Sequence, residues 1–151
     1  MFASAQQLNQ IASWAEEHKH LFKPNGKGRQ YGIFSTLGYP TAALELRNKI
    51  IEVYGLQDKK QEPIFQDYCG YITAGGAIHE HSDPNQDNLI HTRFNIMISK
   101  SIEGGVPVQN GKEISVEEGD VWRCDAGIVK HWCTEVKGNK PRIVCSFGFL
   151  L

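Results

Sequence analysis

The stretch Arg93-Phe94-Asn95-Ile96-Met97-Ile98-Ser99 (RFNIMIS) carries the period of an extended strand. Phe94, Ile96 and Ile98 leave one face, and Arg93, Asn95 and Ser99 leave the other. The first face is apolar. The second carries polar groups, which in an antiparallel sheet with one wet face would meet solvent unless a site claims them.

Outward from this strand, the sequence after Pro63 is punctuated by turns of the GG, DPNQDN, EGG, NGK, EEGD and KGNKP kind. They separate predicted strands at 64–73, 89–99, 119–124, 128–136 and 142–151. Short strands at regular intervals, joined by glycine-rich turns, predict a sandwich or barrel. The first third reads differently. Leu8, Ile11, Ala12, Ala15 and Phe22 recur at helical spacing, and Ser4 with Gln7 fits a capping box, which predicts a helix over 4–20. A second helix opens after Pro40, with Thr41 as candidate N-cap, carries Leu44, Ile50, Ile51 and Tyr54, and stops at Gly55. Between them, the segment 23–29 (KPNGKGR) reads as a loop. The expected fold class is mainly β with N-terminal helices, in one domain over 1–151, with helical support to about residue 60 and the sheets beyond.

The 151 residues hold 16 Lys plus Arg against 17 Asp plus Glu, a net charge of −1. A domain of this length buries roughly 68–70% of its unfolded surface, so a core needs no staples. Near-neutrality supplies no track for nucleic acid and no attraction to an anionic membrane. No apolar run approaches the length of about 18 residues that spans a bilayer, and the N-terminus lacks a basic segment followed by an apolar one. Cys69, Cys124, Cys133 and Cys145 form no CxxC pair and sit among apolar neighbours, as buried reduced thiols of a cytoplasmic protein would.

The chemistry concentrates in the segment from Tyr71 to Pro84, YITAGGAIHEHSDP. His81 and Asp83 are two apart, so an extended chain sends both side chains to one face, where they can grip one ion. His79 shares that face and is an alternative ligand to His81. A third ligand must come from far along the chain, and His131 offers one inside an otherwise apolar segment. Arg142 follows eleven residues later, at the head of a strand expected to run back beside that of His131. A guanidinium entering such a strand needs an anion, because it cannot be neutralised. No carboxylate is offered on that strand; a bound dicarboxylate, held bidentately, would serve.

Two histidines and a carboxylate with open positions is the donor set of non-haem Fe(II) oxygenases. The chain resembles the iron(II)- and 2-oxoglutarate-dependent dioxygenases, in particular their small prolyl-4-hydroxylase-like branch. The likeness rests on Tyr71, Gly75-Gly76, His81-Ser-Asp83, the strand from Arg93 to Ser99, Gly104-Gly105, Val116-Glu-Glu-Gly119-Asp120, His131 and Arg142, and it covers Tyr68 to Leu151. It implies a double-stranded β-helix, the jelly-roll or cupin-like barrel. It makes His81, Asp83 and His131 the iron ligands and Arg142 the clamp on the distal carboxylate of 2-oxoglutarate. Tyr71 would face cofactor or substrate. The tyrosine that some members carry on the strand after HxD is missing, and Asn95 or Arg93 would stand in for it.

The implied reaction consumes O2 and 2-oxoglutarate, releases succinate and CO2 and hydroxylates a C–H bond, with ascorbate as a candidate auxiliary reductant. A prolyl residue in a peptide or protein is the first substrate class, and a free amino acid or other small molecule the second; no nucleic-acid or membrane partner is expected. Two rivals come from other classes. A cupin-like metal protein without 2-oxoglutarate would turn Arg142 away from the metal. A non-catalytic jelly-roll binding module would make HxD an accident of a loop. His91 is expected to start its strand near the pocket or in solvent, and Lys140 to be solvated.

Overall fold

Ser4 begins the first helix by the exchange its sequence requires. Its Oγ accepts from the Gln7 amide at 3.1 Å, and its own amide donates to Gln7 Oε1 at 3.0 Å. Helix α1 runs over Ala5–His18 in the computed structural model, which describes all 151 residues, and tightens into a 3-10 turn at Lys19–Leu21. It buries Leu8, Ile11, Trp14 and Ala15. After a short α2 (Phe34–Leu37), α3 spans Thr41–Tyr54 and ends at Gly55 in the left-handed region, φ 66°. Thr41 is its first helical residue, not its cap: the Pro40 carbonyl already accepts from Ala43 and Leu44. Gln10 of α1 completes this end, its Oε1 accepting from the Ala42 amide at 2.6 Å.

The eleven strands are β1 (Lys23–Pro24), β2 (Arg29–Ile33), β3 (Lys60–Gln61), β4 (Tyr68–Ile72), β5 (Ile78–His81), β6 (His91–Ser99), β7 (Pro107–Gln109), β8 (Lys112–Glu113), β9 (Val121–Cys124), β10 (His131–Cys133) and β11 (Arg142–Leu150). All pair antiparallel, in two sheets. The larger has the order β1-β2-β4-β11-β6-β9, with β3 also on β11; the smaller has the order β5-β10-β7-β8.

Three expectations are corrected here. The segment 23–29 is not a plain loop in a helical third: it holds β1 and the start of β2, which form a hairpin, and β2 extends the large sheet along β4. The predicted strands at 64–73 and 128–136 shorten to Tyr68–Ile72 and His131–Cys133, and β3, β5, β7 and β8 add to the set. Most consequentially, β11 does not run beside β10. Both edges of β10 are taken by β5 and β7, so after the KGNKP turn the chain crosses to the other sheet and inserts between β4 and β6.

Strand parity then sorts the large sheet. Phe94 and Ile96 of β6, Ile143, Cys145 and Phe147 of β11 and Cys69 and Tyr71 of β4 join Leu8, Ile11, Phe34, Leu46 and Ile50 in one core beneath the helices. The opposite face, with Arg29, Tyr31, Tyr68, Gly70, Ile72, Arg93, Asn95 and Arg142, looks into the space between the sheets. The polar side of RFNIMIS is therefore internal, lining a cavity. All four cysteines are free and buried. No helix is long and apolar enough to cross a membrane.

Candidate metal centre and its cavity

His81 ends β5 directly opposite His131 of β10, the two being cross-strand partners, so their rings leave the same face and lie 4.2 Å apart. Each ring is oriented from behind by main chain. His81 Nδ1 donates to the His79 carbonyl at 2.8 Å, and His131 Nδ1 donates to the Val129 carbonyl at 2.9 Å. A carbonyl can only accept, so both Nδ1 atoms carry hydrogen and both Nε2 lone pairs are free to point forward. Asp83 follows two residues after His81, tied down by its amide to the Ala126 carbonyl at 2.7 Å. Its Oδ1 is 3.3 Å from His81 Nε2 and its Oδ2 is 3.7 Å from His131 Nε2. The three ligand atoms lie within 4.8 Å of one another.

Electrostatics fit the same reading. Burial pushes the Asp83 carboxyl upward, but the hydrogen bond with His81 and the neighbouring His131 outweigh it and leave it below its ordinary value. The bond to Asp83 raises His81 against the opposing effect of burial, whereas burial lowers His131. A divalent cation placed between the two Nε2 atoms and the carboxylate would satisfy all three at once. The donor set of two imidazoles and a carboxylate suits a first-row metal with further positions left for exogenous ligands.

The centre opens onto a cavity of about 370 Å³. Arg142 reaches into it from β11. The side chain is 5% exposed, and its Nε donates to the Gly105 carbonyl at 2.7 Å, but no carboxylate of the chain pairs with it. Asn95 also lines the cavity. Five of the six residues expected at the site thus converge: His81, Asp83, His131, Arg142 and Asn95. Tyr71 does not. It lies on the opposite face of β4, under α1, where its hydroxyl donates to Glu16 Oε1 at 2.6 Å. Strand parity puts Tyr68 in the cavity in its place.

His79 lines the exposed rim, outside the cluster of ligand atoms. His91 is neither solvent-facing nor in the cavity: it is fully buried, with Nε2 3.0 Å from Arg93 Nη1 and 3.9 Å from Glu62. Arg93 is held by Ser146 and by Glu62 at 3.5 Å, so its charge is already met. Lys140 pairs with Glu118 at the surface, at 2.6 Å. Sequence reasoning missed Arg29 and Tyr31, because 23–29 was read as a loop and 30–40 was assigned no element. The alternation Arg29-Gln-Tyr31-Gly-Ile33 after two glycines was the available signal.

No family model matches the chain, and no curated protein matches it in sequence. Solved structures do. A prolyl-4-hydroxylase of Pseudomonas putida aligns over 99% of this chain and 88% of its own, with TM-score 0.66 and 17% identity. HygX of Streptomyces hygroscopicus, solved with nickel and 2-oxoglutarate bound, aligns over 99% and 79%, with TM-score 0.72 and 11% identity. SnoN, a non-heme alpha ketoglutarate dependent epimerase from nogalamycin biosynthesis, aligns over 99% and 74%, with TM-score 0.75 and 14% identity. The fold is the jelly roll of these 2-oxoglutarate-dependent enzymes.

Proposed function

We propose that the chain is an Fe(II)- and 2-oxoglutarate-dependent dioxygenase that hydroxylates a C–H bond and releases succinate and CO2. The carrying observation is one cavity that holds both the His81, Asp83 and His131 cluster and a buried arginine lacking a carboxylate. Fold likeness alone would not suffice, since one fold hosts many chemistries.

Iron, when bound by His81, Asp83 and His131, supplies the activation of dioxygen that drives decarboxylation of 2-oxoglutarate and oxidation of the substrate. The chain supplies position and field. The backbone carbonyls of His79 and Val129 keep both imidazoles in the ligating tautomer. Asp83 adds the one anionic ligand. Arg142 binds the distal carboxylate of 2-oxoglutarate through the guanidinium edge that Gly105 leaves free, and Asn95 adds a polar contact. Ile72, Val108 and Val144 keep water from the interior of the cavity. The rival metal protein without a cosubstrate required Arg142 to turn away, and the side chain faces the cavity.

Two substrate classes meet this reading: a prolyl residue in a peptide or protein, and a free small molecule. The free, buried thiols suit a reducing, cytosolic compartment, and ascorbate is a fitting auxiliary reductant to supply in assays. His81→Ala and Asp83→Ala should each abolish the conversion of 2-oxoglutarate to succinate, followed by mass spectrometry at saturating Fe(II). Undiminished turnover in either variant would sink the assignment.

A further inference from the structure

Arg29 is a second arginine in the cavity, and the chain gives it nothing to bind. It leaves β2 on the inner face, in a row with Ile72 of β4 and Arg142 of β11: Arg29 and Arg142 are both cross-strand partners of Ile72. Two strand spacings separate the backbones of the two arginines by about 10 Å, and both side chains line one space. Unlike Arg93, which Glu62 and Ser146 occupy, Arg29 has no ion pair and no side-chain hydrogen bond to any residue of the chain. Among the cavity-lining residues Asp83 is the sole acid, and it belongs to the metal cluster.

The charges inside the cavity decide what Arg29 is for. On the reading proposed above, a divalent cation, Asp83, Arg142 and doubly charged 2-oxoglutarate sum to zero, and Arg29 is left as one uncompensated positive charge. A half-buried guanidinium, whose planar fork matches a carboxylate, is best met by one. Tyr31 projects from the same strand two residues on, its ring edge-on to Tyr68 with centroids 6.1 Å apart, so an aromatic wall adjoins the cation. The cavity of about 370 Å³ lies at the small end of the range for ligand sites, roughly 300–1,000 Å³.

We infer that the substrate is a small molecule with a free carboxylate, such as an amino acid or a 2-hydroxy acid, whose carboxylate is bound by Arg29 and whose body rests on Tyr31 and Tyr68. A prolyl residue inside a peptide carries its carbonyl as an amide and cannot meet this charge. The inference rests on the dioxygenase reading and selects between its two substrate classes.

The test begins with calorimetric binding of 2-oxoglutarate to the Mn(II)-loaded protein. If the unaltered chain binds none, the dioxygenase reading fails and takes this inference with it. Given binding, the protein is assayed for stimulated succinate formation with the twenty free L-amino acids, their carboxamides, simple 2-hydroxy acids and N-acetylated, C-amidated tripeptides with a central proline. At least one free acid should act with an apparent KM tenfold or more below that of its amide. Arg29→Gln should shrink that ratio below threefold, and Arg29→Lys, which keeps the charge, should preserve most of it. The inference is overturned if no acid stimulates turnover or if amides or peptides are preferred. It is equally overturned if the acid-to-amide ratio survives Arg29→Gln. Loss of 2-oxoglutarate affinity in Arg29→Gln as large as in Arg142→Gln would assign Arg29 to the cosubstrate and also overturn it.

Discussion

Tyr71 and Ile72 are adjacent on β4, yet one packs under a helix and the other lines the cavity. At the scale of a residue, this alternation separates structural roles from functional ones. The family resemblance implied that Tyr71 faces cofactor or substrate; the parity of β4 sends its hydroxyl to Glu16 instead. Tyr71→Phe should therefore lower stability by about 1 kcal/mol, the net worth of an ordinary hydrogen bond, and leave turnover of 2-oxoglutarate unchanged. Denaturant titration and a succinate assay on the same preparation check both halves; a large loss of turnover would return Tyr71 to the site. Arg142 contrasts with it. Its guanidinium is buried with one main-chain acceptor, so Arg142→Gln should raise the KM for 2-oxoglutarate by 30-fold or more, as loss of one partner of a buried charge pair costs about 2–5 kcal/mol.

Elements place these residues through loops that allow only certain side chains. Gly105 has φ 65°, and a Cβ there would meet Ser101 Oγ at 2.5 Å and Arg142 Cδ at 2.9 Å. Gly105→Ala should accordingly weaken 2-oxoglutarate binding more than metal binding, since it presses on the arginine and not on the histidines; separate calorimetric titrations resolve the two. The turn after β3 is built on Glu62, fully buried, which accepts from the amides of Ile64, Phe65 and Gln66 and sits beside Arg93. Glu62→Ala strands a buried guanidinium and three amides and should cost about 3–5 kcal/mol, with Glu62→Gln milder because an acceptor remains. Thermal unfolding of the pair tests the order. The capped start of α1 was legible because Ser4 and Gln7 act on each other locally. The hairpin of β1 and β2 was not, because short strands with no apolar run take their identity from the partner β4 that recruits them. Arg29 was lost from view with it.

For the whole molecule, the crossover between β10 and β11 is what makes a site. Had β11 paired with β10, Arg142 and His131 would share one sheet; by crossing, the chain sets the arginine on one sheet and the His81 and His131 pair on the other, with the cavity between. Five of the eleven strands, β4, β6, β9, β10 and β11, were readable from turns and alternation, and the other six were not. The assignment of strands to two sheets was not readable, because pairing over such separations depends on which edges are already filled. The clustering of His81, Asp83 and His131 was nonetheless legible, since HxD parity is local and His131 stood out as an imidazole in an apolar segment. Metal and cosubstrate should also hold the two sheets together. At a hundredfold excess over Kd a single ligand adds about 2.7 kcal/mol, about 5–10 °C in Tm for a chain of this length.

The most direct measurement of the central claim is an anaerobic equilibrium titration of the metal-free protein with Fe(II) or Mn(II), with and without 2-oxoglutarate. The account predicts one metal per chain, 2-oxoglutarate binding that requires the metal, tighter metal binding in its presence, and loss of both in Asp83→Ala. Metal binding indifferent to 2-oxoglutarate, or no stoichiometric metal binding, would contradict it.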